Sequence, residues 1–318
     1  MKKLGTLRYA TVAVALSLLA ACGTSAAEPS VNADGSTDVT IGYRPLITTA
    51  SVVNAQKAGL FKDQKIDAKI TDSGGGAPGI ASLMAGDFDF TYANYTSIFL
   101  AAQKGLPLQL VAGNDLGVGD QGIWVKKNSP IKTMAQLAGK RVAITGLQDI
   151  GAVAVSSLVD EAGGDPKSVS FVELGFSDMQ SQLQRGDVDA IWLVDPFQAS
   201  AKAAGFRRLG DLFQGQLDNA PMAGWVTTKS FAQAHPDVVK GFQTALSASI
   251  KQLDADPSIL QQLVPTYTAV TADGVKAAAR PSLTADLDLP ALQKESDLMY
   301  KYGLVKEDFD VSNILPNN

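Results

Sequence analysis

Leu83–Phe90 reads LMAGDFDF and Leu183–Ala190 reads LQRGDVDA, with Gly86 and Gly186 in register 100 residues apart. The pattern (leucine, two spacers, Gly-Asp, an apolar residue, Asp) is the visible part of a longer repeat. Upstream of the first copy, Val39–Tyr43 (VTIGY) has the β-branched, apolar character of a buried strand. A helical pattern over Ser51–Gln64 and a second strand, Ile66–Asp72, follow it. Upstream of the second copy the same order recurs: strand Arg141–Thr145, helical pattern Val153–Gly163, strand Val169–Leu174. Each half then passes a turn, SGGGAP or GFSD, and a short helix before Gly-Asp and a third strand. The chain therefore contains two βαβαβ units. Crossovers between parallel strands are right-handed, so each unit carries a parallel sheet with helices on both faces and ligand loops beyond the strands' carboxyl ends. Gly86 and Gly186 close a helix where a left-handed residue is needed, and the following Asp begins the turn into a strand. On that reading Gly-Asp is structural.

With 318 residues, 46% hydrophobic and 19% charged, the chain holds one large or two medium domains. Residues 1–21 read as an export signal: Lys2, Lys3 and Arg8 precede the apolar run Ala10–Ala21, which is too short to span a bilayer as a mature helix. The run ends in LAAC, and Cys22, the sole cysteine, resembles the acylated residue of the bacterial lipoprotein box. Lipidation there would leave no thiol for disulfides, metal or catalysis. Residues 22–37 form the lipidated cysteine and a small, polar, aperiodic tether. Loss of residues 1–21 removes three positive and no negative charges, moving the formal net charge from −5 to −8. That balance, without a basic cluster, excludes nucleic acid as a partner.

Gly122–Val125 and Gly224–Thr227 read as two strands that cross between lobes and form a hinge. The expected fold class is α/β, with two βαβ-type lobes whose mixed, mainly parallel sheets are joined by this two-strand hinge. The first lobe takes residues 38–125 and the second 126–223. Residues 224–318, a return strand followed by helices including a long one from about His235 to Leu253, pack back on the first lobe.

Five segments in order, Lys57–Asp67, Leu83–Asn94, Ser129–Thr145, Leu183–Phe197 and His235–Leu246, resemble the sulfonate-, nitrate-, taurine- and thiamine-precursor-binding (SsuA/THI5-like) family. This family belongs to the type II periplasmic solute-binding proteins of ABC importers, and the resemblance covers about residues 38 to 310. It implies capture of a small solute between lobes, closure by hinge rotation, and delivery to a membrane permease driven by a cytoplasmic ATPase. It also implies a monomer without cofactor or metal, exported and lipid-anchored at the outer face of the cytoplasmic membrane or in the periplasm, touching the membrane only through its anchor.

The ligand residues should come from the strand-end loops. Arg44 is a candidate anion partner. Thr48 and Thr49, and Gly75 and Gly76, precede helices whose free N–H groups suit an anionic or carbonyl group, with plain capping and a tight turn as the competing reading. Tyr92, Asn94 and Tyr95 follow the first Gly-Asp strand, where the family places contacts. In the second lobe Gln148 and Gly151 sit at a helix start facing the cleft. Trp192 and Asp195 match the family's Trp-x-x-Asp-Pro pattern only loosely, so the Trp192 indole reads equally as core. Asp195 repels a sulfonate but accepts hydrogen bonds from an amine on taurine or an aminopyrimidine. The ligand is read as an aliphatic sulfonate or taurine. The alternatives are a thiamine-precursor pyrimidine or similar heterocycle, and a lipid-tethered sensor in place of a transporter.

Enzyme readings fare worse. His235 is the sole histidine and starts a helix in AHPD; a catalytic base or metal ligand there would call for a second histidine or a mature thiol, and the sequence offers neither. Asp115, Asp149, Asp178 and Asp195 lie near the expected cleft, but their spacing recommends no carboxylate-pair hydrolase. The chain is expected not to be an enzyme.

Overall fold

The computed structural model describes residues 29–119 and 121–316; the export signal and Cys22 lie outside the described residues. The first unit runs β1 (Thr37–Tyr43), α1 (Ala50–Lys57), α2 (Leu60–Asp63), β2 (Ile66–Asp72), α3 (Gly76–Ala85), β3 (Phe90–Asn94), α4 (Tyr95–Gln103) and β4 (Leu108–Leu116). The second runs β5 (Gln121–Val125), β6 (Arg141–Ile144), α5 (Ile150–Glu161), β7 (Ser170–Glu173), α6 (Phe176–Arg185), β8 (Ala190–Val194), α7 (Phe197–Ala203) and β9 (Arg207–Asp211). The return is β10 (Pro221–Thr228), α8 (Lys229–Ala234), α9 (Pro236–Ala255), α10 (Ser258–Leu263), α11 (Ala272–Ala277), β11 (Ser282–Leu283) and α12 (Leu289–Lys301).

Two sheets result, in the orders β11-β4-β10-β3-β1-β2 and β7-β6-β8-β5-β9. The two repeats occupy equivalent triplets, β2-β1-β3 and β7-β6-β8, parallel throughout. The remaining pairings are antiparallel, so the sheets are mixed rather than mainly parallel. The strands read as a hinge each lie inside a sheet. β5 pairs with β8 in the second sheet and β10 with β3 in the first. The connections between sheets run through residues 117–119 and 212–220, so Gln121–Val125 belongs to the second sheet and not to the first lobe expected over residues 38–125.

The repeated string has a double structural reason. Gly86 (φ 84°) and Gly186 (φ 89°) close α3 and α6 in the left-handed conformation that only glycine adopts freely. The second Asp of each copy then clips its strand to the first strand of the unit. Asp89 Oδ2 accepts the Thr40 N–H at 2.7 Å and the Thr40 hydroxyl at 2.9 Å, while the Asp89 N–H donates to Thr40 O. Asp189 Oδ2 accepts the Arg141 N–H at 2.9 Å, and its own N–H donates to Arg141 O.

Other differences have local causes. The helix expected over Ser51–Gln64 breaks after Lys57, because Gly59 takes φ 77° and restarts the chain as α2. The end of the tether is folded: Asn32 and Gly35 close a turn, and Asp38 N–H donates to Ser30 O. Side chains of Ser30 and Asn32 both bond the Asp38 carboxylate.

The first sheet's core is aromatic, with Phe242 of α9 stacked on Phe90 at 4.4 Å and on Phe61 at 5.7 Å. α9 is locked to α1 by Asn54 Nδ2 donating to Ser249 Oγ at 3.1 Å, and by Ser249 Oγ donating to Ser51 O at 2.6 Å. The tail does not confine itself to the first lobe. α12 bonds α4 through Glu295 and Thr96, and α5 through Lys301 Nζ and Tyr302 Oη, which reach Asp160 Oδ2 at 2.8 and 3.0 Å.

Candidate functional site

The carboxyl ends of both parallel triplets face one cleft, about 900 Å³ with its open mouth included. Of the residues expected at the ligand, Arg44, Thr48, Gly76, Tyr92, Asn94, Trp192 and Asp195 line it. Strand parity explains part of this: Tyr92 and Asn94 are two apart at the end of β3 and share a face.

Arg44 follows β1, and its guanidinium lies against the glycine turn. A Cβ on Gly75 would sit 3.3 Å from Arg44 Nη1, and the φ of 140° there is itself a glycine conformation. Gly76 begins α3 in a similarly close space, where an added Cβ would meet Ser97 Oγ at 3.1 Å and Asn94 Nδ2 at 3.3 Å. Asn94 caps α4, its Oδ1 accepting the Ser97 N–H at 2.8 Å. The first turns of α3 and α4 thus meet beside Arg44, a juxtaposition of N–H groups and positive charge that suits an anion. Tyr92, bonded to Thr48 and packed edge-on against Trp225 at 5.7 Å, has its hydroxyl pKa pushed up by burial and then by Asp115.

The second lobe supplies a different wall. Asp149 caps α5, its Oδ1 accepting the Gly151 N–H at 2.8 Å and its Oδ2 the Thr145 hydroxyl. Burial raises its pKa to about 6 despite these bonds, with Glu173 adding to the rise. Trp192 donates its indole N–H to Gln121 Oε1 at 3.1 Å and meets Phe176 edge-on at 5.4 Å. Asp195 Oδ2 accepts the Ala279 N–H at 3.0 Å, a bond from β8's end to the returning tail.

Five expected residues are not among the lining. Thr49 is buried and donates its hydroxyl to Arg44 O and Leu46 O, so it holds the loop's shape. Tyr95 points into the core and stacks with Phe99 at 6.0 Å. Gly75 shapes the turn next to Arg44, and Gln148 is exposed on the surface. Gly151 provides clearance, since a Cβ there would strike Trp192 Cε3 at 2.7 Å. The lining residues not expected at the ligand include Asp115 at the end of β4, Gln121 at the start of β5, Thr145, and Met222, Ala223, Ala279 and Pro281 of the returning chain. Among the described residues no group of three or more His, Cys, Asp or Glu side chains is placed to hold a metal ion. No helix among them is long and apolar enough to cross a membrane.

Two α/β lobes that exchange strands and turn the carboxyl ends of their parallel triplets toward one shared cleft define the periplasmic binding protein fold. Residues 47–259 match the NMT1/THI5 like family model, and the chain belongs to that family. It is 26% identical over 263 residues to the taurine-binding periplasmic protein of Escherichia coli (strain K12), covering 81% of this chain and 77% of that protein. It is 21% identical over 310 residues to a putative aliphatic sulfonates-binding protein of Bacillus subtilis (strain 168), covering 94% and 91%. The alkanesulfonate-binding protein SsuA from Xanthomonas axonopodis pv. citri, solved bound to MOPS, superposes with a TM-score of 0.77 at 19% identity, covering 92% of this chain and all of that one. The fold also serves chemistry: the desulfurization enzyme DszB superposes with a TM-score of 0.65 at 16% identity, covering 88% and 97%.

Proposed function

We propose that this protein is the extracytoplasmic solute-binding component of an ABC importer and captures a small organic sulfonate in the interlobe cleft. The observation that carries this reading is the Arg44 guanidinium beside the converging first turns of α3 and α4, a site for an oxyanion on the first lobe. The taurine- and sulfonate-binding relatives support the same solute class. A ligand touching both lobes stabilises the closed arrangement by its differential affinity for it, which makes the loaded form distinguishable to a permease. The role is binding, without catalysis: the sole histidine lies on the helix pair α8–α9 far along the return chain, and the sole cysteine is Cys22. We place the protein outside the cytoplasm, held at the membrane's outer face by acylated Cys22.

Thermal melting against taurine, alkanesulfonates, nitrate, an aminopyrimidine and thiamine tests the solute. A sulfonate at a hundred times its Kd should add about 2.7 kcal/mol, or roughly 5 to 10 °C, and Arg44→Ala should abolish the shift. A shift with nitrate or a heterocycle alone would refute the sulfonate reading.

A further inference from the structure

β6 and β8 run parallel with their carboxyl ends at the cleft. At their amino ends, where β5 stops, the second lobe carries another pocket, about 660 Å³ with its open mouth included. Ile131, Leu183 and Val188 form its floor, and all three are buried. Lys126, Lys140 and Ser129 supply polar groups at its rim. The chain as a whole is acidic, with a formal net charge of −5, so a pocket edged by two ammonium groups runs against the average surface.

Charge balance decides what such a pocket takes. Asp189 is the one carboxylate in its lining, and Arg141 already neutralises it, with Nη2 3.1 Å from Oδ1 and Nε 3.2 Å from Oδ2. Arg141 holds that carboxyl below its usual range, and Lys140 adds to the effect through its charge. Neighbouring Asp187 is paired with Arg185 at 2.8 Å. No ion pair or hydrogen bond joins the Lys126 or Lys140 ammonium to another described residue. Lys126 is half-buried, and its Nζ lies 3.4 Å from where a Cβ on Gly186 would stand. The glycine that closes α6 therefore also keeps the space beside that ammonium clear.

The wall that carries Lys126 is a fixed turn. Ser129 N–H donates to Lys126 O at 3.0 Å, Ser129 Oγ accepts the Ile131 N–H at 3.2 Å, and Lys132 Nζ donates to Ser129 O at 2.7 Å. The Ser129 hydroxyl proton has no acceptor among the described residues, which leaves it for a ligand.

We propose that this pocket is a second binding site, separate from the interlobe cleft, for a small organic dianion of the phosphate monoester class. The charged head lies between Lys126 and Lys140 and accepts the Ser129 hydroxyl, while the organic group covers Ile131, Leu183 and Val188. Two ammonium groups match the two negative charges of the head, and the apolar floor favours an ester over the bare ion.

The test is calorimetric titration of the full chain with phenyl phosphate and with inorganic phosphate. Wild type is compared with Arg44→Ala, Lys126→Met, Lys140→Met and Lys126→Arg. The expected result is phenyl phosphate binding with a Kd on the order of 1 mM or below, unaffected by Arg44→Ala, with inorganic phosphate roughly tenfold weaker. Each Met variant should weaken phenyl phosphate roughly tenfold or more, whereas Lys126→Arg keeps the charge and should retain binding. Unchanged melting temperatures without ligand verify that the variants fold. Failure of phenyl phosphate to bind, or equal binding by wild type and both Met variants, overturns the site. Loss of binding in Arg44→Ala would put the ligand in the cleft and overturn the site equally. Inorganic phosphate binding as tightly as its phenyl ester would overturn the assignment of an organic ligand.

Discussion

Glu295→Gln should make the protein more stable at neutral pH, with a gain that vanishes in acid. Glu295 lies on α12 with 0% exposure. Its Oε1 accepts the Thr96 hydroxyl at 2.6 Å, and the Thr96 backbone N–H in the first turn of α4 also bonds its carboxylate. Its Oε2 is buried without a hydrogen-bond partner. Burial pushes its pKa from 4.5 to about 8, overriding the Thr96 bonds that favour the charged form. At pH 7 the folded chain therefore holds a proton that the unfolded chain releases. At roughly 1.4 kcal/mol per pH unit, the gap between 4.5 and 7 costs folding about 3 kcal/mol. Because the folded state binds this proton more tightly, the contribution improves stability as pH falls from 8 toward 4.5 and erodes it as pH rises through that window. Gln keeps the shape and the Oε1 acceptor, and it has no proton to take up. Asp149, raised to about 6, titrates in both proteins and cancels in the difference. Urea denaturation at intervals from pH 4.5 to 9 should show the variant ahead by about 3 kcal/mol at pH 7, by about 5 kcal/mol above pH 8, and level with wild type near pH 4.5. A pH-independent offset, or a variant weaker than wild type at pH 7, would show that Glu295 is ionised in the fold and the reasoning is wrong.

The two Asp clips should differ in strength. Asp89→Ala leaves a Thr40 N–H and hydroxyl without their partner in a half-buried site and should cost about 2 to 3 kcal/mol by denaturant melting. Asp189→Ala, at an exposed Arg141 pair, should cost about 1 kcal/mol, and equal costs would mean that burial does not set the clip's strength. Cys22→Ala should move the protein from the membrane to the soluble fraction, and a variant still sedimenting with membranes would refute the lipid anchor.

What was legible in the sequence was what neighbouring residues decide. Strand Ile66–Asp72 occupies the bounds its alternation implies, and Gly86 and Gly186 close their helices, because strand periodicity and a left-handed cap are set within a few residues. The strand-end loops were likewise readable, so Arg44, Tyr92, Asn94 and Asp195 come to the cleft. Direction was harder. Tyr95 follows Asn94 immediately, but the chain turns there from strand to helix, and its ring swings into the core. Gln148 stands one residue before the Asp149 that lines the cleft. β4 was missed although Leu108–Val111 is apolar, since no second copy of it exists in the repeat to draw attention to LQLVAGNDL. β9 was missed because RRLGD lacks an apolar face.

The part of the cleft that local reading did not supply is the part that links the lobes. Gln121 flanks the first connection between sheets, Met222 and Ala223 follow the second, and Ala279 and Pro281 arrive from the tail. Their neighbourhood is made by antiparallel pairing of strands more than 60 residues apart, which no window of sequence contains. The repeat therefore accounts for two half-sites, each built from its own loops, whereas the chain's crossings decide that they face each other. The Asp195–Ala279 bond joins the last residue type of the repeat-derived wall to the tail, and α12 holds α4 and α5 at once through Thr96 and Asp160. A ligand that reaches from Arg44 to Asp195 spans the one direction in which the two copies, read separately, have no information about each other, so its affinity depends on contacts formed by the tail as much as on the repeated loops.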